Sequence, residues 1–317
     1  MSAGAPHETQ CTSSVLMVRP ARFGSNPVTA ASNRFQFQDT GVPPADTQQG
    51  ARAEFEALAL ALSNAGVEVC VVDDTPEPEK PDAVFPNNWV SFHADGTVVL
   101  YPMLAGTRRL ERREDILAAL VREHGFRITR TIDLTGHEND ERYLEGTGSL
   151  VLDRVNRVAY ACLSPRTHLD ALGDFAQQLD YEVASFDAVD AAGVPIYHTN
   201  VLMCLGEKFA VLCAATVRDA TRRTAILKII ADTAHEAIDI TLEQMTAFAG
   251  NLLELRSRKG EPLLVLSARA LGSLTREQRT RLERHARPLA VSIPTIERYG
   301  GGSVRCMLAE IHLPRRG

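Results

Sequence analysis

Apolar runs recur along this chain behind a constant kind of leader. Four of them, WVSFHADGTVVLYPM, SLVLDRVNRVAYACL, VLMCLGEKFAVLCA and LLELRSRKGEPLLVLS, are each split once by a turn signal: ADGT, DRVNR, LGEK or RSRKGEP. Two β-type halves around a turn read as a β-hairpin. Each run follows a polar or glycine-rich tetrapeptide: Phe85-Pro-Asn-Asn88, Glu145-Gly-Thr-Gly148, Tyr197-His-Thr-Asn200 and Phe248-Ala-Gly-Asn251. A fifth, Gly300-Gly-Gly-Ser303, leads into VRCMLAEIHLP. The fourth residues of these blocks stand 60, 52, 51 and 52 positions apart.

Helical spacing fills the intervals. RREDILAALVREHG, THLDALGDFAQQLDY, RDATRRTAILKIIADTAHEAI and TREQRTRLERHA have the 3.6-residue pattern, and FRITRTIDL, EVASFDA and PLAVSIP read as short strands. The chain's first module supplies VLMVRP, the helix FEALALALSNAG and the strand VEVCVVD. Near-equal modules of hairpin, helix and strand predict an α/β fold of radial repetition closed on itself. Residues 1–12 read as a flexible polar tail and residues 13–317 as one catalytic domain.

Composition narrows the class. The 317 residues are 44% hydrophobic and 23% charged, ordinary for a globular enzyme, and the net charge of -6 argues against a nucleic-acid binder. No apolar run nears the roughly 18 residues that span a bilayer, and the start lacks a secretory apolar core. Six cysteines without CxxC pairing read as reduced thiols in a cytoplasmic protein. No membrane partner, metal or cofactor is expected. A homodimer is compatible with the sequence.

In a closed radial array the tetrapeptide loops meet at one end of the axis. The reactive side chains cluster there: Asn87 and Asn88, Glu145, His198, and Cys306 just after Ser303. Each has a bland reading alone: Cys306 a core thiol, His198 a core histidine, Glu145 a solvated acid, the asparagines turn formers. The shared register favours chemistry. Gly300-Gly301-Gly302 is no phosphate loop, because neither Lys-Ser/Thr nor a helix follows, and a strand is expected there. His137-Glu-Asn-Asp140 lacks zinc-site spacing and reads as a polar loop or lid, and RRLERRE as a solvated helix start.

From VLMVRPARFGSN through DAVFPNNW, LEGTGS and IYHTN to GGGSVRCMLAEI, the chain resembles the pentein superfamily of guanidino-group-modifying enzymes. That group holds arginine deiminases, dimethylarginine dimethylaminohydrolases, amidinotransferases and arginine dihydrolases, and the likeness is strongest to bacterial citrulline-utilisation hydrolases. The resemblance implies a five-bladed α/β propeller with pseudo-fivefold repeats of roughly 50–60 residues. It implies a cofactor-free hydrolase of a small amino acid, with Cys306 as nucleophile, His198 as general acid/base and Glu145 orienting the imidazole. It further implies that Asp82 and Asn88 grip the distal nitrogens, with Asn87 beside them. Arg166 and either Arg108 or Arg109 would hold the α-carboxylate.

Two departures bear on the substrate. Guanidinium-binding members usually place Asp where Asn88 stands and often carry a second acid in H-x-D, where this chain has Asn200; the usual EGGD is here Glu145-Gly-Thr-Gly. An amide both donates and accepts without charge, whereas a carboxylate only accepts. The exchange favours a neutral ureido such as citrulline over arginine or dimethylarginine. The rivals are arginine dihydrolysis or deimination, dimethylarginine hydrolysis, amidino transfer, and a non-catalytic binding propeller.

Overall fold

The computed structural model describes residues 8–30, 32–37 and 43–316. Among them the strands form five separate three-stranded sheets. In each sheet the middle strand runs antiparallel to the inner strand and parallel to the outer one. Thr97–Leu100, for example, pairs antiparallel with Val90–Phe92 and parallel with Arg130–Asp133. A parallel neighbour cannot be reached by a tight turn, so a helix must cross over. Pro44–Asn64, Glu114–Arg122, Leu169–Leu179, Ala220–Asp232 and Arg276–Glu283 do this.

Local chemistry sets these helices. Leu169–Leu179 turns Ala171, Leu172, Phe175, Ala176 and Leu179 inward. Asp219 accepts from the first free N–H groups of Ala220–Asp232, and Thr275 with Gln278 forms a capping box. The inner strands are buried except for the partly exposed Arg256 and Glu310, and they pack on one another around the axis. Val151–Asp153 meets Met203–Leu205, which meets Leu253–Arg256, while Ala309–Glu310 meets Val90–Phe92. The fold is a five-bladed α/β propeller.

One blade is built from both ends of the chain. Ser14–Arg19 is the middle strand between Ala309–Glu310, antiparallel, and Glu68–Asp73, parallel. The four local hairpins lie where the turn signals place them, and all six cysteines are free and buried.

Four expectations need correction. RDATRRTAILKIIADTAHEAI does not stay helical: the helix ends at Asp232, Ala234 takes φ 61°, and Glu236–Asp239 is a strand. FEALALALSNAG runs two residues past the end of a helix that already starts at Pro44 and stops at Asn64. The glycine run leads into a 3-10 turn, Val304–Met307, not directly into a strand. The tail expected over 1–12 is packed wherever it is described. Glu8 pairs with Arg154 at 2.7 Å, Gln10 Nε2 donates to the Leu152 carbonyl at 2.9 Å, and Thr12 Oγ1 donates to the Ile311 carbonyl at 2.6 Å. Residues 1–7 lie outside the described residues.

Candidate active site

The leader blocks fold as, or lead directly into, short turns: Pro86–Asn88, Gly146–Ser149, Thr199–Leu202, Val304–Met307, and the turn ending at Asn251. They are laced to one another around the axis. Thr147 Oγ1 donates to the Asn87 carbonyl at 3.3 Å, and Thr199 Oγ1 to the Ser149 carbonyl at 2.5 Å. Asn251 Nδ2 donates to the Asn200 carbonyl at 2.9 Å, and Arg305 N to Asn251 Oδ1 at 3.1 Å. Glycine is required where the turns touch. A Cβ on Gly148 would stand 2.3 Å from Asn88 Nδ2 and 2.7 Å from His198 Nδ1.

A small, narrow cavity opens beside this ring, lined by Cys306, His198, Asp82, Asn88, Arg108 and Arg166 among others. Thr29 and Asn33 cover it. This cover is tied down by Asn26 Nδ2 on Asp82 Oδ2 at 2.7 Å and by Asn33 Nδ2 on the Gly301 carbonyl at 3.3 Å.

His198 Nε2 lies 2.9 Å from Glu145 Oε2, so the ring's other nitrogen is the one free to exchange a proton. Burial pushes the imidazole down to about 4; Glu145 pulls the other way, and Arg166 and Arg108 add to the depression. His198 is therefore neutral near pH 7. Burial alone would raise the Glu145 carboxyl, but Arg166 at 3.3 Å, His198 and Arg108 at 3.7 Å outweigh it and hold it well below the carboxylate range.

Cys306 sits in the Val304–Met307 turn, its N–H donating to the Ser303 carbonyl at 2.9 Å, and is 5% exposed. Gly301 takes φ 63°, and a Cβ on Gly302 would meet the Phe85 ring at 3.0 Å, so the glycine run serves close packing behind the thiol.

The two candidate arginines separate clearly. Arg108 is buried in the site, held by both Glu111 oxygens at 2.9 Å and donating from Nη1 to Asn88 Oδ1 at 2.8 Å. Arg109 lies outside the cavity lining, against Glu138 at 3.2 Å and the Tyr143 ring. The RRLERRE run is thus not wholly solvated. Burial raises the Glu111 carboxyl to about 7, against the pull of Arg108. Arg166 donates to Ser32 Oγ at 2.8 Å and to the Thr29 carbonyl at 3.1 Å, and covers the Tyr197 ring.

Asn87 and Asn200 are buried but do not line the cavity. Asn200 Nδ2 instead faces Cys306 Sγ at 3.6 Å. The His137–Asp140 stretch is not the cover; Glu138 there binds Arg112 and the Met103 N–H. Sequence reading missed Asn26, Thr29, Asn33, Glu111 and Asn251. Of these, Asn251 alone stood in the repeat register, which could have flagged it. Potential metal-ligand groupings, Glu68 with Cys70 and His124, and Cys11 with Glu207 and Glu254, lie outside the cavity lining.

A five-bladed α/β propeller that brings cysteine, histidine and a buried carboxylate to one axial cavity belongs to the pentein class of guanidino-group-modifying enzymes. Residues 19–313 match the family model described as N,N dimethylarginine dimethylhydrolase, eukaryotic, and the chain belongs to that family. No curated protein matches closely enough by sequence to count as a relative.

Solved structures share the fold. Apo ArgZ, an arginine dihydrolase from the ornithine-ammonia cycle in cyanobacteria, superposes with a TM-score of 0.72 at 19% identity over 96% of this chain. This chain spans only 41% of that one. The substrate-bound N-terminal domain of ArgZ gives 0.70 at 20% identity, covering 94% of this chain and 97% of that domain. A dimethylarginine dimethylaminohydrolase adduct with S-methyl-L-thiocitrulline gives 0.62 at 15% identity, covering 95% and 100%. No helix among the described residues is long and apolar enough to cross a membrane.

Proposed function

We propose that this protein hydrolyses the ureido group of citrulline, releasing ornithine, ammonia and carbon dioxide. The observation that carries the substrate is the orientation of Asn88. A guanidinium only donates, so the bond from Arg108 fixes Asn88 Oδ1 toward Arg108. Nδ2 is then the free end, and it is buried without a partner among the described residues. An unmet buried donor costs about 1–3 kcal/mol. A ureido oxygen meets it; a guanidinium has no acceptor to offer.

Cys306 attacks the ureido carbon and His198 takes the thiol proton on Nδ1, then gives it to the departing ornithine nitrogen as the C–N bond breaks. The carbamoyl thioester left on sulfur is attacked by water, deprotonated by His198. Carbamate leaves and decomposes to ammonia and carbon dioxide. Glu145 holds the imidazole and balances its transient charge. Asp82 would accept from the substrate's nitrogens, and Arg166 or Arg108, both on the cavity wall, would hold an α-carboxylate.

A second reading is arginine dihydrolysis, favoured by the likeness to arginine-handling enzymes and by the Asp82 carboxylate on the cavity wall. Ornithine formed from citrulline, arginine and N,N-dimethylarginine, measured side by side, separates them. Citrulline turnover no faster than that of Cys306→Ala would end the citrulline reading.

A further inference from the structure

Once deprotonated, the Cys306 sulfur needs a partner for its negative charge. The charged or titratable groups sharing its cavity are Asp82, Arg108, Arg166, Tyr197 and His198. Both arginines are engaged, Arg108 by Glu111 and Arg166 by Glu145, Thr29 and Ser32. Arg305, adjacent in the chain, turns its guanidinium to the Leu308 carbonyl at 3.1 Å and to Glu310 at 3.0 Å.

What the sulfur meets is a pair of carboxamides. Asn251 Nδ2 lies 3.3 Å from Sγ and Asn200 Nδ2 3.6 Å from it. Asn251 cannot turn round. Its Oδ1 accepts from Arg305 N and its Nδ2 donates to the Asn200 carbonyl, so a flipped amide would set donor against donor and acceptor against acceptor. Its Oδ1, 3.7 Å from Sγ, can also accept the proton of the resting thiol. Asn200 is buried, and Sγ is the partner its Nδ2 finds.

We propose that Asn200 and Asn251 are catalytic residues forming a two-amide hole for the Cys306 thiolate, the sulfur counterpart of an oxyanion hole. As the proton passes from Sγ to His198 Nδ1, charge grows on sulfur and both N–H bonds to it become charge-assisted. The S–H bond breaks, an N–H bond forms, and nothing else changes covalently in this step. The proposal rests on Cys306 as nucleophile but not on which amino acid it attacks.

Alkylation of Cys306 by iodoacetamide, followed by peptide mass spectrometry across pH on the substrate-free full chain, tests it. Asn200→Leu removes one donor at similar volume and adds no charge. Asn251→Asp keeps the acceptor for Arg305 N but turns an oxygen to the sulfur. Each is expected to move the alkylation profile upward by about one pH unit or more. A folded variant, judged by its thermal transition, whose profile superimposes on wild type overturns the proposal. Asn200→Leu alone decides the matter where Asn251→Asp does not fold. A displaced profile alongside failed citrulline turnover would sink the substrate reading and leave the thiolate hole standing.

Discussion

Asn88→Asp replaces a buried donor that has no partner among the described residues with an acceptor, while still satisfying Arg108. Citrulline kcat/KM should fall about 10-fold or more and the arginine-to-citrulline ratio should rise, read from ornithine release on both substrates. His198 carries a sign that can be checked. Its pKa is about 4 in the fold against 6.5 for the free group, so the native state resists protonation. The stability this gives is complete above pH 6.5 and is lost as pH falls toward 4. Urea midpoints at pH 7.5 and 5 should show a steeper acid loss for wild type than for His198→Gln. Glu111, raised to about 7, works the other way as pH rises, so the difference between the two proteins isolates the histidine. Cys306, His198 and Glu145 were legible because their residue types are reactive and fall in one repeat register. Asn251 fell in the same register, but a carboxamide in a turn reads as backbone chemistry. Arg108 and Arg109 could not be separated from sequence, since adjacent residues on the Gly106–Arg109 turn point different ways.

The turns that carry the site depend on small residues at their mutual contacts. Gly148→Ala should cost about 1–3 kcal/mol in a urea melt and remove most activity, because the added methyl meets Asn88 Nδ2 and His198 Nδ1 rather than a yielding surface. The hairpins were legible because ADGT, DRVNR, LGEK and RSRKGEP are strong local turn formers. The overrun of the helix ending at Asp232 has a local cause that spacing does not reveal. Thr233 Oγ1 bonds the Ile229 carbonyl, and Ala234 takes a left-handed conformation that ends the helix. The Val304–Met307 turn was hidden because VRCML alternates like a strand. There the Cys306 N–H folds back to Ser303, so Cys306 itself takes the place beside Asn251 and Asn200.

Closure of the ring is legible from five near-equal modules, but not where the ring is joined. Pairing of Ser14–Arg19 with Ala309–Glu310 links positions almost the whole chain apart and leaves no local signal. The packed start of the chain belongs to the same scale. Glu8 is the counter-ion of Arg154, which is 2% exposed, and Glu8→Ala should cost about 3 kcal/mol or more by urea denaturation. The joined blade also orders events in time. A chain emerging from the ribosome releases the strands of four blades before the inner edge that Ser14–Arg19 requires. Cys306 comes out with that last stretch, so the nucleophile reaches its cavity only as the barrel of blades is sealed, and no half-made protein displays a finished reactive centre.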